Sequence, residues 1–326
     1  MYAVRLHAFG PADNLRYEEV KDPEPGPGQV RIHVEAAGVH LIDTSIRSGE
    51  AGPFPLPELP AILGREVAGV VDALGDGVDP QWLGRRVVAH LGPASGGYAE
   101  LAIANAAALH ALPDDLAFDA AVAMIGTGRT AMGILEVAEV TADDVVLVTA
   151  AAGGIGSLLV QAARRIGATV IGAAGGPAKV ATVQQLGADI AVDYLQPDWT
   201  STIRSALDGR AVSVIFDGVG GALGRQSLEV IGLGGRLLMY GGSAGDWTSL
   251  STMDLYTYGI SAAVPIGPRL LQRPGGLRPL EEKALAAAAT RELVPLIGTH
   301  FPLREAAAAH KALVSRATTG KVVLIP

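Results

Sequence analysis

Residues 144–167 read DVVLVTAAAGGIGSLLVQAARRIG. Val145 to Val148 form an uninterrupted apolar run, the mark of a strand with no wet face. Beyond the turn, Ile155, Leu158, Leu159, Ala162 and Ile166 return at helical spacing, so the run predicts a helix with one apolar stripe. Strand, glycine turn and helix in that order are the setting of a dinucleotide fingerprint. Gly153 and Gly154 let backbone amides approach a pyrophosphate at the positive end of the helix, and Gly156 lets helix and strand pack closely. Gly153, Gly154, Ile155 and Gly156 are therefore the first cofactor-binding candidates. The fingerprint's first glycine is Ala151 here, and the competing reading is a plain tight turn between strand and helix.

The next apolar run, TVIGAAGG, ends where a protein that holds NAD usually places an Asp or Glu for the ribose 2′-hydroxyl. Gly172 to Gly176 supply no acid, so nothing there repels a 2′-phosphate. This favours NADPH, with Gly175 at the turn and Lys179 just inside the following helix as the cation for the phosphate. The competing reading of Lys179 is a solvated surface lysine.

Outward from this unit the alternation continues through PAKVATVQQLGA, DIAVDY, WTSTIRSAL, VSVIFDGVG, ALGRQSLEVI and GRLLMYGGS. Five strand–helix units with strands this apolar predict a doubly wound parallel sheet over residues 121–260. Ser243, with Gly242 before it, follows the last of these strands at its carboxyl end, where such sheets bind ligands, so the Gly241 to Ser243 backbone is a candidate for the nicotinamide carboxamide. A tight turn is the alternative. Before residue 120 the chain offers short apolar runs cut by Gly and Pro clusters such as DPEPGPGQ and LGDGVDP. These read as short antiparallel strands of a barrel-like domain. The last residues, 261–326, carry two Ala-rich helices and a final strand, KVVLIP, and are expected to return to that first domain.

The chain has 326 residues, 49% of them hydrophobic, enough for two modest cores. Its net charge of -8 supplies no footprint for nucleic acid or an anionic membrane. With no cysteine there are no disulfides, thiol nucleophiles or thiolate metal sites. MYAVRLHAFG lacks the apolar core of a signal peptide, and no stretch of about 18 uninterrupted apolar residues follows. A cytoplasmic protein with no membrane or nucleic-acid partner is expected.

VRLHAFGPADNLRYEEV, PGPGQVRIHVEAAGVHLIDTSIRSG, LPAILGREVAGVVDALGDGV, GGYAELAIA, VTAAAGGIGSLLVQAARRIGA, LGADIAVDY and SRATTGKVVLIP together resemble the medium-chain dehydrogenase/reductase superfamily. Within it the chain is similar to the zinc-free NADPH:quinone oxidoreductases, in the family's order of motifs. The resemblance implies an α/β protein: a GroES-like β-barrel catalytic domain from both chain ends (1–120 and 261–326), a Rossmann domain between them, an NADPH cleft at their junction, and a homodimer. It also implies that Lys179, Tyr194 and Arg316 surround the 2′-phosphate. Zinc-dependent members place a Cys and a His where this chain has Val39 and Arg65, which implies that no metal takes part. Glu66 then reads as a carboxylate paired with Arg65 or another base.

If hydride passes to a quinone, charge develops on an oxygen, and hydrogen-bond donors must stabilise it. The candidates are His40, Asp43, Arg47, Thr127 and Thr130, with His40, Asp43 and Thr130 taken as the catalytic set. His40 stands where relatives usually have Asn; it can donate to the substrate oxygen or supply a proton, or it replaces the Asn as a structural hydrogen-bonder. The loop 50–60, with Phe54, is expected at the substrate mouth. The leading activity is reduction of a quinone or similar conjugated carbonyl by NADPH. Enoyl or alkenal reduction is the rival enzyme, and a non-catalytic NADPH-binding or crystallin-like protein is the rival of another class.

Overall fold

The computed structural model describes residues 1–50, 55–92 and 95–326, and Phe54 lies outside them. It divides into two compact units, one of Met1–Thr127 with Glu281–Pro326, the other of Gly128–Leu280.

In the first unit the long strand Gln29–Val39 is the organising element. It pairs antiparallel with Glu66–Leu74, with Leu101–Asn105 and with the C-terminal strand Lys321–Ile325. Val30, Ile32 and Val34 point into the core while Arg31, His33 and Glu35 do not, the period-two pattern of a half-buried strand. From Ala36 to Val39 the alternation stops and every residue is buried. The strand thus loses its wet face just before His40, where Glu66 and Lys321 flank it. The C-terminal strand lies against it with Val322 paired to Val39 and Val323 to Gly38. A smaller antiparallel sheet, Leu15–Glu19, Tyr2–Leu6 and Ala61–Ile62, completes the unit.

The second unit is a six-stranded parallel sheet in the order Ile190–Asp193, Thr169–Ala174, Val145–Val148, Val212–Asp217, Ile231–Met239, Ser261–Ala263. All four residues of Val145–Val148 are buried, as a central strand covered on both faces requires. The order reverses beside this strand, so the switch point of the doubly wound sheet lies at its carboxyl end.

The boundaries differ from those expected at 120 and 260. Ser261–Ala263 is a sixth strand hydrogen-bonded to Arg236–Leu238, and Leu270 and Leu280 close on the space beside Gly133. Residues 261–280 are therefore held by the parallel-sheet unit. At the other crossing the division falls inside a π turn, Met124–Gly128. Among the described residues one helical run, Phe118–Ala138, is long and apolar enough to cross a membrane, and 67% of that window is buried within the protein, as in a core helix.

Candidate active site

In the parallel-sheet unit, the strand Val145–Val148 runs into a turn whose Ala150 adopts φ +49°, a region few non-glycine residues enter. The Ala150 carbonyl accepts the Gly153 N–H at 2.9 Å. A Cβ on residue 156 would stand 2.3 Å from that same oxygen, so only glycine admits this approach. The helix Gly154–Ile166 begins with no side-chain cap. The first-turn amides, Gly154, Ile155 and Gly156 among them, therefore present uncapped donors and the positive end of a 13-residue helix, which fits a pyrophosphate.

At the next strand end, Gly176 takes φ +91° and its N–H donates to Asp193 at 2.9 Å. That backbone bond, with another from Leu195, holds the Asp193 carboxyl below its ordinary range. The acid of this region is thus turned toward the loop's own amides. The ring of Tyr194 packs on Gly175, where a Cβ would come within 3.0 Å of it. Lys179 is half-buried in the first turn of the helix Pro177–Gln185. Gly175 and Tyr194 pack together, and the cationic Lys179 follows them in the first turn of the next helix, residue types that suit a 2′-phosphate. Arg316, with φ +56°, belongs to the other unit, as does His40, while Thr130 lies with the parallel sheet.

The end of Val212–Asp217 carries a feature that sequence reasoning missed. Fully buried Asp217 accepts hydrogen bonds from the Thr149 hydroxyl at 3.0 Å, from the amides of Val219 and Gly220 at 3.0 and 3.1 Å, and from the Thr248 hydroxyl at 2.5 Å. The Gly218 N–H donates in turn to Thr149 Oγ1. One carboxylate therefore pins two strand ends and the loop beside Gly242 and Ser243. The Ser243 amide itself faces Gly218 O at a long 3.4 Å. The available signal was an acid in FDGVGG, between a core strand and a glycine turn.

In the first unit, Glu66 opens its strand opposite Gly38, and Lys321 opens the strand on the other side. Lys321 Nζ donates to Glu66 Oε2 at 2.7 Å and to Thr127 Oγ1 at 3.3 Å, and lies 2.8 Å from His40 Nε2. His40 Nε2 also lies 2.7 Å from Glu66 Oε1. Glu66 and Lys321 are buried, while the His40 side chain is 24% exposed and is the cluster's outlet. Burial works to raise the Glu66 carboxyl's pKa, but His40 and Lys321 beside it outweigh that and hold it well below the carboxylate range. Glu66 thus finds its base in Lys321, whereas Arg65 faces Asp43 at 3.7 Å.

Asp43 reaches the site through the backbone. It accepts the His40 N–H at 2.9 Å and the Tyr98 hydroxyl at 3.1 Å, fixing the start of the helix Leu41–Ser48. Because the Tyr98 hydrogen goes to Asp43, its oxygen accepts from His310 Nε2 at 3.1 Å. Burial, foremost, pushes His310 down to about 4. The Arg47 guanidinium is tied to the Gly10 carbonyl. Tyr98, His310 and Lys321 were not singled out from sequence.

The position between His40 and Glu66 is taken by an ammonium, and Val39 and Arg65 offer no metal ligand. Among the described residues no group of three or more His, Cys, Asp or Glu is placed to hold a metal ion. The residues present do not fit a catalytic zinc.

A dinucleotide-type parallel sheet joined in one chain to an antiparallel unit with a polar buried cluster defines the class of two-unit pyridine-nucleotide oxidoreductases. Residues 26–114 match the alcohol dehydrogenase GroES-like domain and residues 154–267 the zinc-binding dehydrogenase family. The chain is 34% identical to a 2-haloacrylate reductase of a Burkholderia species, covering 99% of this chain and 98% of that one. It is 32% identical to a quinone oxidoreductase of Pseudomonas aeruginosa, over 99% of both. An Escherichia coli quinone oxidoreductase solved in complex with NADPH superimposes with a TM-score of 0.89 at 29% identity over the whole of both chains. The chain belongs to the medium-chain dehydrogenase/reductase superfamily, in its quinone oxidoreductase group.

Proposed function

We propose that the protein is an NADPH-dependent reductase of quinones and similar conjugated carbonyl compounds, working without a metal. The observation that carries this reading is the cluster of His40, Glu66, Lys321 and Thr127, a desolvated donor set held at fixed geometry with one ring open to solvent. Bound NADPH supplies the hydride. The protein's part is to hold the cofactor by the uncapped turn at Gly153 to Gly156 and by Gly175, Lys179 and Tyr194, with Gly242 and Ser243 at the nicotinamide end. His40 donates to the acceptor oxygen as negative charge develops there, the kind of contact worth about 100-fold or more in rate. Asp43 and Thr130 are read as supporting groups, Asp43 through the backbone of His40. The names of relatives support both halves of the substrate class: quinone oxidoreductases on one side, a 2-haloacrylate reductase on the other.

The deciding experiment follows NADPH oxidation with 1,4-benzoquinone, 9,10-phenanthrenequinone, 2-chloroacrylate and crotonyl-CoA. Turnover led by the quinones supports the reading. Turnover confined to the acrylate or the enoyl thioester assigns C=C reduction instead, and tight NADPH binding with no turnover on any of the four returns a non-catalytic binder.

The same reading includes a cytoplasmic homodimer, since NADPH is regenerated inside cells and Ser261–Ala263 is an unpaired sheet edge. Leu233, 92% exposed, and Tyr256, 83% exposed, belong to the strand Ile231–Met239 and the helix Thr252–Tyr258 near that edge. Light scattering at micromolar concentration should return twice the chain mass; a monomer mass removes the dimer. The small-molecule substrate class includes no nucleic acid and no membrane partner.

A further inference from the structure

The strands Val145–Val148, Val212–Asp217 and Ile231–Met239 lie side by side, and past their carboxyl ends the loop 240–248 is tied at both of its ends to one residue, Thr149. At the near end the Tyr240 hydroxyl donates to the Thr149 carbonyl at 3.1 Å, its ring passing Gly218, where a Cβ would stand 2.6 Å from Cζ. At the far end the Thr248 hydroxyl donates to Asp217 Oδ2 at 2.5 Å, and Asp217 Oδ1 accepts the Thr149 hydroxyl at 3.0 Å. Gly224 makes room for that link, since a Cβ there would meet Thr248 Oγ1 at 1.9 Å and Asp217 Oδ2 at 2.5 Å. Thr149, Asp217, Tyr240 and Thr248 are all buried, so little water competes for these bonds. Between the anchors the Ser243 amide reaches Gly218 O only at 3.4 Å, a weak bond that a better-placed acceptor on a ligand can replace.

Thr149 also opens the turn that leads to Gly153, one position before Ala150 with its φ of +49°. One residue thus anchors both the pyrophosphate turn and the loop of Gly242 and Ser243. We propose that Tyr240 and Thr248 are positioning residues that hold the loop at Gly242 and Ser243 in register with the turn at Gly153 to Gly156, so that the two halves of one NADPH meet preformed subsites. Their effect on the cofactor rests on the reading of Gly242 and Ser243 as its nicotinamide end. Ordering a loop on binding costs affinity, so a loop ordered beforehand holds its ligand more tightly. When the Thr248 tie is cut, the Thr149 hydroxyl still donates to Asp217 and accepts the Gly218 N–H at 2.9 Å. The pyrophosphate turn therefore keeps its shape while the nicotinamide loop loosens.

The test compares calorimetric binding of NADPH with that of 2′,5′-ADP, which carries the adenosine half of the cofactor alone, on the full-length protein. Thr248→Val keeps the side chain's shape and removes its hydroxyl; it should weaken NADPH about ten-fold and leave 2′,5′-ADP within about two-fold of wild type. A merely structural role would weaken both ligands alike. Thr248→Ser, which restores the hydroxyl, should return NADPH binding to within about three-fold of wild type. Should Thr248→Val not fold, Tyr240→Phe cuts the loop's other tie and should show the same split between the two ligands. Equal losses for both ligands, or an unchanged NADPH affinity in the folded variant, overturns the proposal. A wild type that binds NADPH no more tightly than 2′,5′-ADP overturns it together with the reading of Gly242 and Ser243. Neither result depends on which acceptor the enzyme reduces.

Discussion

Gly38 faces Glu66 so closely that a methyl group on its Cα would stand 2.3 Å from Oε2 and 2.9 Å from Cε of Lys321. The φ of Gly38 is not in the left-handed region, so the demand is for space alone. Gly126 presses from the other side, where a Cβ would meet Oε1 at 1.7 Å. The buried carboxylate is thus boxed between two backbones. Gly38→Ala should cost about 1–3 kcal/mol as an overpacked core does. It should also lower kcat by at least about ten-fold, because Glu66 or Lys321 must move away from His40. Thermal melting and steady-state kinetics check both; a variant with wild-type kcat would show that the cluster tolerates displacement.

The Tyr98–His310 contact sets a pH dependence of stability. His310 is fully buried, its Nδ1 has no hydrogen-bond partner, and its pKa is pushed down to about 4 from an ordinary 6.5. The unfolded chain therefore binds a proton between those values that the folded protein does not. Stability from this group is complete above about pH 6.5 and declines as pH falls toward 4, by about 1.4 kcal/mol per pH unit. Urea denaturation from pH 7 to 4.5 should show that slope in the wild type, and His310→Gln should flatten it. An equal slope in both proteins would assign the acid sensitivity elsewhere.

The dinucleotide half of this fold was legible because its signals are local. The run from Val145 to Ile166 carries strand, turn and helix within two dozen residues, and each periodicity is set by neighbours in the chain. The sixth strand escaped because Ser261–Ala263 is three residues long, too short for a period to declare itself, and its pairing with Arg236–Leu238 is tertiary. The polar cluster escaped for a similar reason. His40 and Lys321 are separated by 281 positions and meet only because the last strand pairs with Gln29–Val39. A lysine heading an apolar strand looks ordinary in isolation. Glu66 was recognised as needing a base, but the nearer one in sequence, Arg65, points to Asp43.

The ammonium between His40 and Glu66 bears on metal dependence. The enzyme should retain full activity after dialysis against EDTA, and elemental analysis should find no stoichiometric zinc. Zinc near one per chain, lost together with activity and restored with it, would contradict the reading of Lys321 as the pocket's cation.

Lys179 bears on the choice of cofactor. Asp193 accepts from the amides of Gly176 and Leu195, and a 2′-phosphate bound beside Lys179 would bring about two negative charges. Each charge-assisted hydrogen bond to it is worth roughly 1.5–3 kcal/mol, about ten- to a hundred-fold in affinity. Lys179→Ala should weaken NADPH binding by about that factor and leave the weaker NADH nearly unchanged, since NADH brings no 2′-phosphate for the lysine to meet. Because Lys179 is half-buried, added salt should screen part of the wild-type preference and shrink the gap between wild type and variant. Calorimetric titration of both cofactors at low and high salt measures this. Equal losses for NADPH and NADH would mean that Lys179 supports the helix Pro177–Gln185, and a wild-type preference for NADH would overturn the phosphate site formed by Gly175, Tyr194 and Lys179.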